Sequence, residues 1–217
     1  TVDGKLHAFD VTRGGQGPVA TWVSRIGDPR AIAPSAEPGR MLIGSGDGTA
    51  RWVDYRLHDV AAETLRGHDR ALARTLVGDD LIVTVSSDGR VVTWDRAPRH
   101  ALGGHVTHLE FMPRTATLDP TGAWLYVGGG GDGRLALIDV ASGDLAAQVA
   151  RAHGDEVWDI AVSTDGSTLV TVGRDGRLDV RDPATLDLIA TPFEYDKTVV
   201  HVSEHPIEDT WVVGANH

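Results

Sequence analysis

Short apolar segments recur along the chain at an even interval, and each runs into an Asp-Gly pair. Met41-Leu42-Ile43-Gly44, Leu81-Ile82-Val83-Thr84, Leu125-Tyr126-Val127-Gly128 and Leu169-Val170-Thr171-Val172 lead to Asp47-Gly48, Asp88-Gly89, Asp132-Gly133 and Asp175-Gly176. With Asp3-Gly4 ahead of them, successive pairs stand 44, 41, 44 and 43 residues apart. Beyond each glycine a second short segment ends in Asp, at Asp10, Asp54, Asp95, Asp139 and Asp182. Gly and Asp tolerate the positive φ of a two-residue hairpin turn, so each period predicts strand, tight turn, strand.

A second turn precedes some hairpins, at Asp119-Pro120-Thr121-Gly122, Asp165-Gly166 and Glu37-Pro38-Gly39. It predicts one more strand upstream, such as 157–163, and a further strand, such as 145–149, follows the Asp-terminated segment. Pro and Gly interrupt every candidate helix. Four short antiparallel strands in a unit of about 43 residues make a propeller blade. The expected fold class is therefore all-β: a β-propeller of four-stranded antiparallel blades, with about five blades' worth of sequence. The expected divisions are 1–15 (strands three and four of one blade), 16–60, 61–97, 98–144, 145–189 and 190–217 (strands one and two of a last blade). Two readings of the ends stand side by side: a closed five-bladed ring, or part of a longer array, the second being preferred.

Composition then removes whole classes of chemistry. The chain has no cysteine, which excludes a disulfide scaffold, a thiolate metal site and a cysteine nucleophile. A formal net charge of −11 repels a phosphate backbone on average, so no nucleic-acid partner is expected. No run approaches the ~18–20 continuous apolar residues of a membrane helix, so no membrane role is expected and the setting is read as cytoplasmic. Among the 10 histidines, His105 and His108 are three apart and His201 and His205 four apart. Neither segment reads as helix, and four positions along a strand span ~13 Å, too far for two imidazoles to share an ion. No metal and no cofactor is expected. The run Gly128 to Gly131 leads into a strand and lacks a Lys-Ser/Thr ending, so it reads as a turn rather than a phosphate cradle.

The unit Gly67-His68, Leu81 to Val85 and Ser87-Asp88-Gly89-Arg90-Val91-Val92-Thr93-Trp94-Asp95 resembles the WD40 repeat family. Weaker versions pair Gly104-His105 with Ile138-Asp139, and Ala152-His153-Gly154 with Arg181-Asp182; two more units end in Val53-Asp54 and Phe9-Asp10. The resemblance implies that His68, Thr84, Asp88 and Trp94 form one buried hydrogen-bond chain, repeated by His153, Thr171 and Asp175 with Arg181 in place of the Trp. On that basis the recurring His, hydroxyl and Asp are structural rather than a catalytic triad, since a buried polar chain persists only when its members satisfy one another. The resemblance further implies a non-enzymatic scaffold that binds protein or peptide on one face. Trp158, Glu156, Arg174, Ser87 and Arg70 are the candidate contacts, Trp and Arg being enriched in binding hot spots. Bacterial arrays of this kind commonly follow a signalling ATPase or kinase domain, and the Ala-, Gly-, Asp-, Arg- and Val-rich composition suits such a source. The alternative is a lactonase-like propeller hydrolase with a metal at the channel mouth. Of the innermost candidate strands (71–77, 114–118, 157–163 and 199–203), only Asp159 and His201 offer ligands, which is too few for a catalytic metal.

Overall fold

The turns join strands that all run antiparallel to their neighbours, and no helix occurs among the described residues. These are, in a computed structural model, residues 5–8, 20–23, 28–54, 56, 59–95, 104–205 and 210–216. Asp3-Gly4 and Phe9-Asp10 lie outside them.

Four sheets have four strands each. The first holds β3 (Pro29–Pro34), β4 (Arg40–Ser45), β5 (Thr49–Asp54) and β6 (Asp59–Arg66). The second holds β7 (Leu72–Val77), β8 (Leu81–Ser86), β9 (Arg90–Asp95) and β10 (Val106–His108). The third holds β11 (Pro113–Leu118), β12 (Trp124–Gly129), β13 (Leu135–Asp139) and β14 (Leu145–Val149). The fourth holds β15 (Val157–Val162), β16 (Leu169–Gly173), β17 (Arg177–Arg181) and β18 (Leu188–Glu194). Two-stranded sheets precede and follow: β1 (Lys5–Ala8) with β2 (Ala20–Val23), and β19 (Val199–Glu204) with β20 (Trp211–Ala215). The fourth strand follows the Asp that ends the third: β10 and β14 lie past the divisions read at 97 and 144, and β6 and β18 straddle those at 60 and 189. In each complete sheet the strands follow in chain order, and β3, β7, β11, β15 and β19 pack one against the next as innermost strands. This is a β-propeller.

The core lies between sheets rather than within one. Val83, Val85 and Val91 of the second sheet pack with Leu125, Val127, Ala136 and Ile138 of the third. Leu42, Ala50 and Trp52 of the first pack with Leu72, Ile82 and Trp94 of the second. A second strand is thereby covered on both faces, and β16 is buried at every position. That is why these strands read as continuous apolar segments instead of alternating ones.

Two features repeat at the junctions. In the four complete sheets, the glycine of the Asp-Gly turn between the second and third strands meets the carbonyl of the loop leading to the next sheet. A Cβ on Gly48 would lie 2.6 Å from the His68 oxygen and one on Gly89 3.0 Å from that of Leu109, while Gly133 and Gly176 crowd the carbonyls of His153 and Tyr195. Four residues after each of these carbonyls an innermost strand begins, at Leu72, Pro113, Val157 and Val199. The second feature is a shift of register at the start of every innermost strand: between Pro29 and Ala31, Leu72 and Arg74, Pro113 and Thr115, Val157 and Asp159, and Val199 and His201. Each shift leaves one extra residue, a β-bulge that re-aims a side chain.

The crowding at Gly133 predicts a graded response to alanine. Gly122 also has positive φ (75°) but nothing within 4 Å of an added Cβ, so Gly122→Ala costs only the backbone strain of about 1 kcal/mol. Gly133→Ala (φ 64°) adds a clash with backbone, and thermal unfolding by circular dichroism should show its Tm several degrees lower than that of Gly122→Ala. Equal shifts would mean that the junction contact is not tight.

Candidate functional site

The repeated polar residues assemble as buried relays between a turn and the loop beside it. Trp94 Nε1 donates to Thr84 Oγ1 at 2.9 Å, and Thr84 Oγ1 lies 2.7 Å from His68 Nε2. His68 Nδ1 faces Asp88 Oδ1 at 3.5 Å, too long for a good hydrogen bond and close enough for electrostatic attraction. Asp88 is held by backbone: its carboxylate accepts from the Asp69 and Arg90 amides at 2.8 Å each. Burial pushes the His68 pKa down, more than the neighbouring Asp88 raises it, so the ring is neutral. A neutral ring fits the chain, with the Thr84 hydroxyl donating to Nε2 and Nδ1–H turned to the carboxylate.

The second relay is tighter. His153 Nδ1 lies 3.0 Å from Asp175 Oδ1 and Nε2 2.9 Å from Thr171 Oγ1. Burial would raise the Asp175 pKa, but the His153 hydrogen bond, the Gly154 amide at 2.7 Å and the Arg177 amide outweigh it and hold the carboxyl at about 2. Where the first relay has Trp94, this one has Arg181, buried at 3% exposure. Its charge is met by fully buried Asp179 at 2.8 Å, and its terminal nitrogens also reach the carbonyls of Leu186 (3.1 Å) and Ala152 (2.5 Å), while Nε has no hydrogen-bond partner. Asp179 also accepts from Arg177 at 2.8 and 3.0 Å and from Thr191 at 2.7 Å. By register Asp179 stands opposite Thr171 as Val92 stands opposite Thr84, so an ion pair fills the slots that Val92 and Trp94 fill elsewhere.

The only side chains of both relays that reach solvent belong to the Asp-Gly turns and their flanks; His68 and His153 side chains are 1% and 0% exposed. The accessible site is elsewhere. The five bulge residues Arg30, Ala73, Arg114, Trp158 and Val200 all line one cavity of about 530 Å³ at the mouth of the central channel, with Arg74, Met112, Ser87 and Glu156. The Arg114 guanidinium lies 3.7 Å above the Trp158 ring, a cation–π stack, with its Nε 3.9 Å from Glu156. One residue past the bulges, His201 Nδ1 contacts Asp159 Oδ2 at 2.6 Å, joining β19 to β15, and Thr115 approaches the same carboxylate at 3.4 Å.

Residues 147–182, running from β14 through β17 and holding the second relay, match the family described as WD domain, G-beta repeat. The mouse (Mus musculus) protein WD repeat and SOCS box-containing protein 1 is 34% identical over 93 residues, which are 43% of this chain. One blade of this propeller is thus similar to a WD40 repeat. The match spans 22% of the mouse protein's length.

Against the WD40 pattern, one assignment changes. Gly104-His105 does not supply the loop histidine of the third sheet. His105 is exposed and exchanges hydrogen bonds with Thr93 at the start of the outer strand β10. The slot belongs to Leu109, whose carbonyl meets Gly89 as those of His68 and His153 meet their glycines. Leu109 packs with Val127 and Ile138, the register counterparts of Thr84 and Trp94. That unit replaces the polar relay with three apolar side chains, removing donors and acceptors together. Of the candidate contacts, the structure brings Trp158, Glu156 and Ser87 to the mouth. Arg174 instead stands outside it, 3.8 Å from Asp155, and Arg70 is exposed near the Gly48 turn. Arg30, Arg74 and Arg114 were not singled out by sequence. A countable signal points to Arg114, as it does to Ala73 and Trp158: each follows a turn glycine by 25 residues.

Two predictions follow from the relays. His68→Ala should cost about 1–3 kcal/mol, and His105→Ala should leave Tm unchanged. Because the folded pKa of His68 is lowered, its contribution is complete above pH 6.5 and lost as pH falls below it, so the Tm gap between wild type and His68→Ala should narrow from pH 7.5 to pH 5. A constant gap would contradict a neutral buried ring. Asp179→Val alone strands the Arg181 charge and should cost about 3–5 kcal/mol, whereas adding Arg181→Trp should recover most of the loss. No recovery in the double variant would contradict the equivalence of the two slots.

Proposed function

We propose that this propeller is a non-enzymatic scaffold that holds a peptide segment of a protein partner at the channel mouth. WD repeat domains generally mediate protein interactions, and the observation that carries the reading here is the convergence of one bulge residue from each of five innermost strands on a single cavity. A bulge repeated at the same step of each strand spends ladder regularity at the one place where side chains of all five strands can meet a ligand. Trp158 and Arg114 form a rigid, half-buried anchor of the kind that dominates interface energetics. Binding rather than catalysis is supported by the fate of the chemically capable groups: the relay histidines are sealed from solvent, and Asp159 is engaged by His201 and the Val202 amide. The reading extends to a cytoplasmic setting, within a larger bacterial signalling protein; its support is the cysteine-free, Ala-, Gly-, Asp-, Arg- and Val-rich composition.

A photo-crosslinking side chain at Met112, exposed on the mouth, should capture a partner from an extract of the source cell, and one at Ile189, exposed on the outer strand β18, should not. Capture at position 189 with none at 112 would move the binding surface from the mouth to the rim.

A further inference from the structure

We infer that the mouth selects an acidic side chain, a Glu or Asp carboxylate, on the segment it holds; this rests on the reading of the mouth as a peptide site. The chain carries a formal charge of −11, yet the cavity is lined by Arg30, Arg74 and Arg114 against Glu156 alone. Arg30 is already paired with Asp28 at 2.6 Å. Arg74 gives one N–H to the Ala73 carbonyl at 3.2 Å, and among the described residues no carboxylate lies within ion-pair distance of it. Arg114 Nε is buried without a hydrogen-bond partner, since Glu156 at 3.9 Å is out of reach, and Trp158 Nε1 in the same cavity is buried and unpartnered too.

These unpaired groups are donors only. Guanidinium and indole nitrogens accept no hydrogen bond, so a neutral apolar or a cationic ligand leaves both unsatisfied. A carboxylate brings an opposite charge to this excess of cation, and its two oxygens, with about four lone-pair sites, suit the guanidinium N–H groups of the Arg74 and Arg114 side chains that line the cavity. Stacking on Trp158 fixes the plane of the Arg114 guanidinium before the ligand arrives, which favours a planar, forked acceptor. Glu156 occupies the edge of this arrangement as a competing carboxylate, so its removal should help an acidic ligand rather than harm it.

The test uses a random dodecamer library displayed on phage and selected on the whole chain. Recovered sequences are synthesised with a fluorescent label, each with its acidic residue as Glu, as Gln and as phosphoserine. The expected result is enrichment of Glu or Asp at one position, at least tenfold weaker binding of the Gln peptide, and loss of that preference in Arg114→Gln and Arg74→Gln. Both variants are checked by Tm, and either one that folds serves the test. Glu156→Gln should tighten the Glu peptide a few-fold, an effect that a purely structural role for Glu156 does not produce. Peptides whose binding depends on Trp158 (lost in Trp158→Ala) but which lack an acidic preference would overturn the carboxylate and leave the mouth standing. Tenfold tighter binding of phosphoserine than of Glu would overturn it in favour of phosphate. A selection that yields no peptide sensitive to Trp158→Ala would overturn the reading of the mouth itself.

Discussion

The close approach of each turn glycine to a loop carbonyl of the next blade is the contact on which the rest of the molecule depends. It occurs at all four junctions where both partners are described, Gly48 to His68, Gly89 to Leu109, Gly133 to His153 and Gly176 to Tyr195. Backbone hydrogen bonds accompany it, Leu109, His153 and Tyr195 donating to the carbonyls of Gly89, Gly133 and Gly176 at 2.8, 3.1 and 2.9 Å. No residue with a Cβ fits without moving one of the two chains, so the glycine sets how near one blade sits to the next. The loop carbonyl in turn fixes where the innermost strand starts, and one residue later the bulge turns a side chain into the mouth. A local requirement for glycine is transmitted in this way to the surface that meets a partner.

The slot beside that contact has more than one solution. The second sheet fills it with a His–Thr–Trp relay, the third with Leu109, Val127 and Ile138, and the fourth with a relay whose Trp is replaced by a buried ion pair. In each, most donors and acceptors are present together or absent together; His68 Nδ1, which relies on the Asp88 charge, and Arg181 Nε are the atoms left without a hydrogen bond. A mixed filling, such as Val127 beside a histidine, would also take away the hydroxyl that Nε2 meets in both relays. Degeneracy of the repeat in sequence is therefore compatible with regularity of the fold, provided that substitutions occur in sets. Asp179 and Arg181 show the same logic with charges: neither is tolerable in the core alone.

Much of the architecture was legible from the Asp-Gly spacing, since a tight turn of that composition recurring every 41–44 residues leaves few alternatives to a blade. The fourth strands were harder to place, because β10 has three residues and β18 is exposed throughout, so neither carries a strong apolar pattern. Reading by dipeptide identity misplaced Gly104-His105, where counting from the turn glycine finds Leu109. Residue type and position beside a turn or blade entry point to Trp158, Glu156 and Ser87, but not to the three arginines of the mouth. A β-bulge has no compositional mark of its own: Arg, Ala, Arg, Trp and Val occupy the same structural step, related only by standing 24–26 residues after a turn glycine.

The central claim is that this extra residue sets two neighbouring side chains toward the mouth where a regular strand would separate them. Because the chain contains no cysteine, single Cys substitutions at Leu72, Ala73, Arg74 and Thr75 can each be read by the rate of thiol modification without background. The structure has Leu72 and Thr75 buried at 2% and 3% exposure, with Ala73 and Arg74 both open to the cavity. The account predicts rapid modification at positions 73 and 74 and protection at 72 and 75. Strict alternation, with one of 73 and 74 protected and its neighbour reactive, would contradict it.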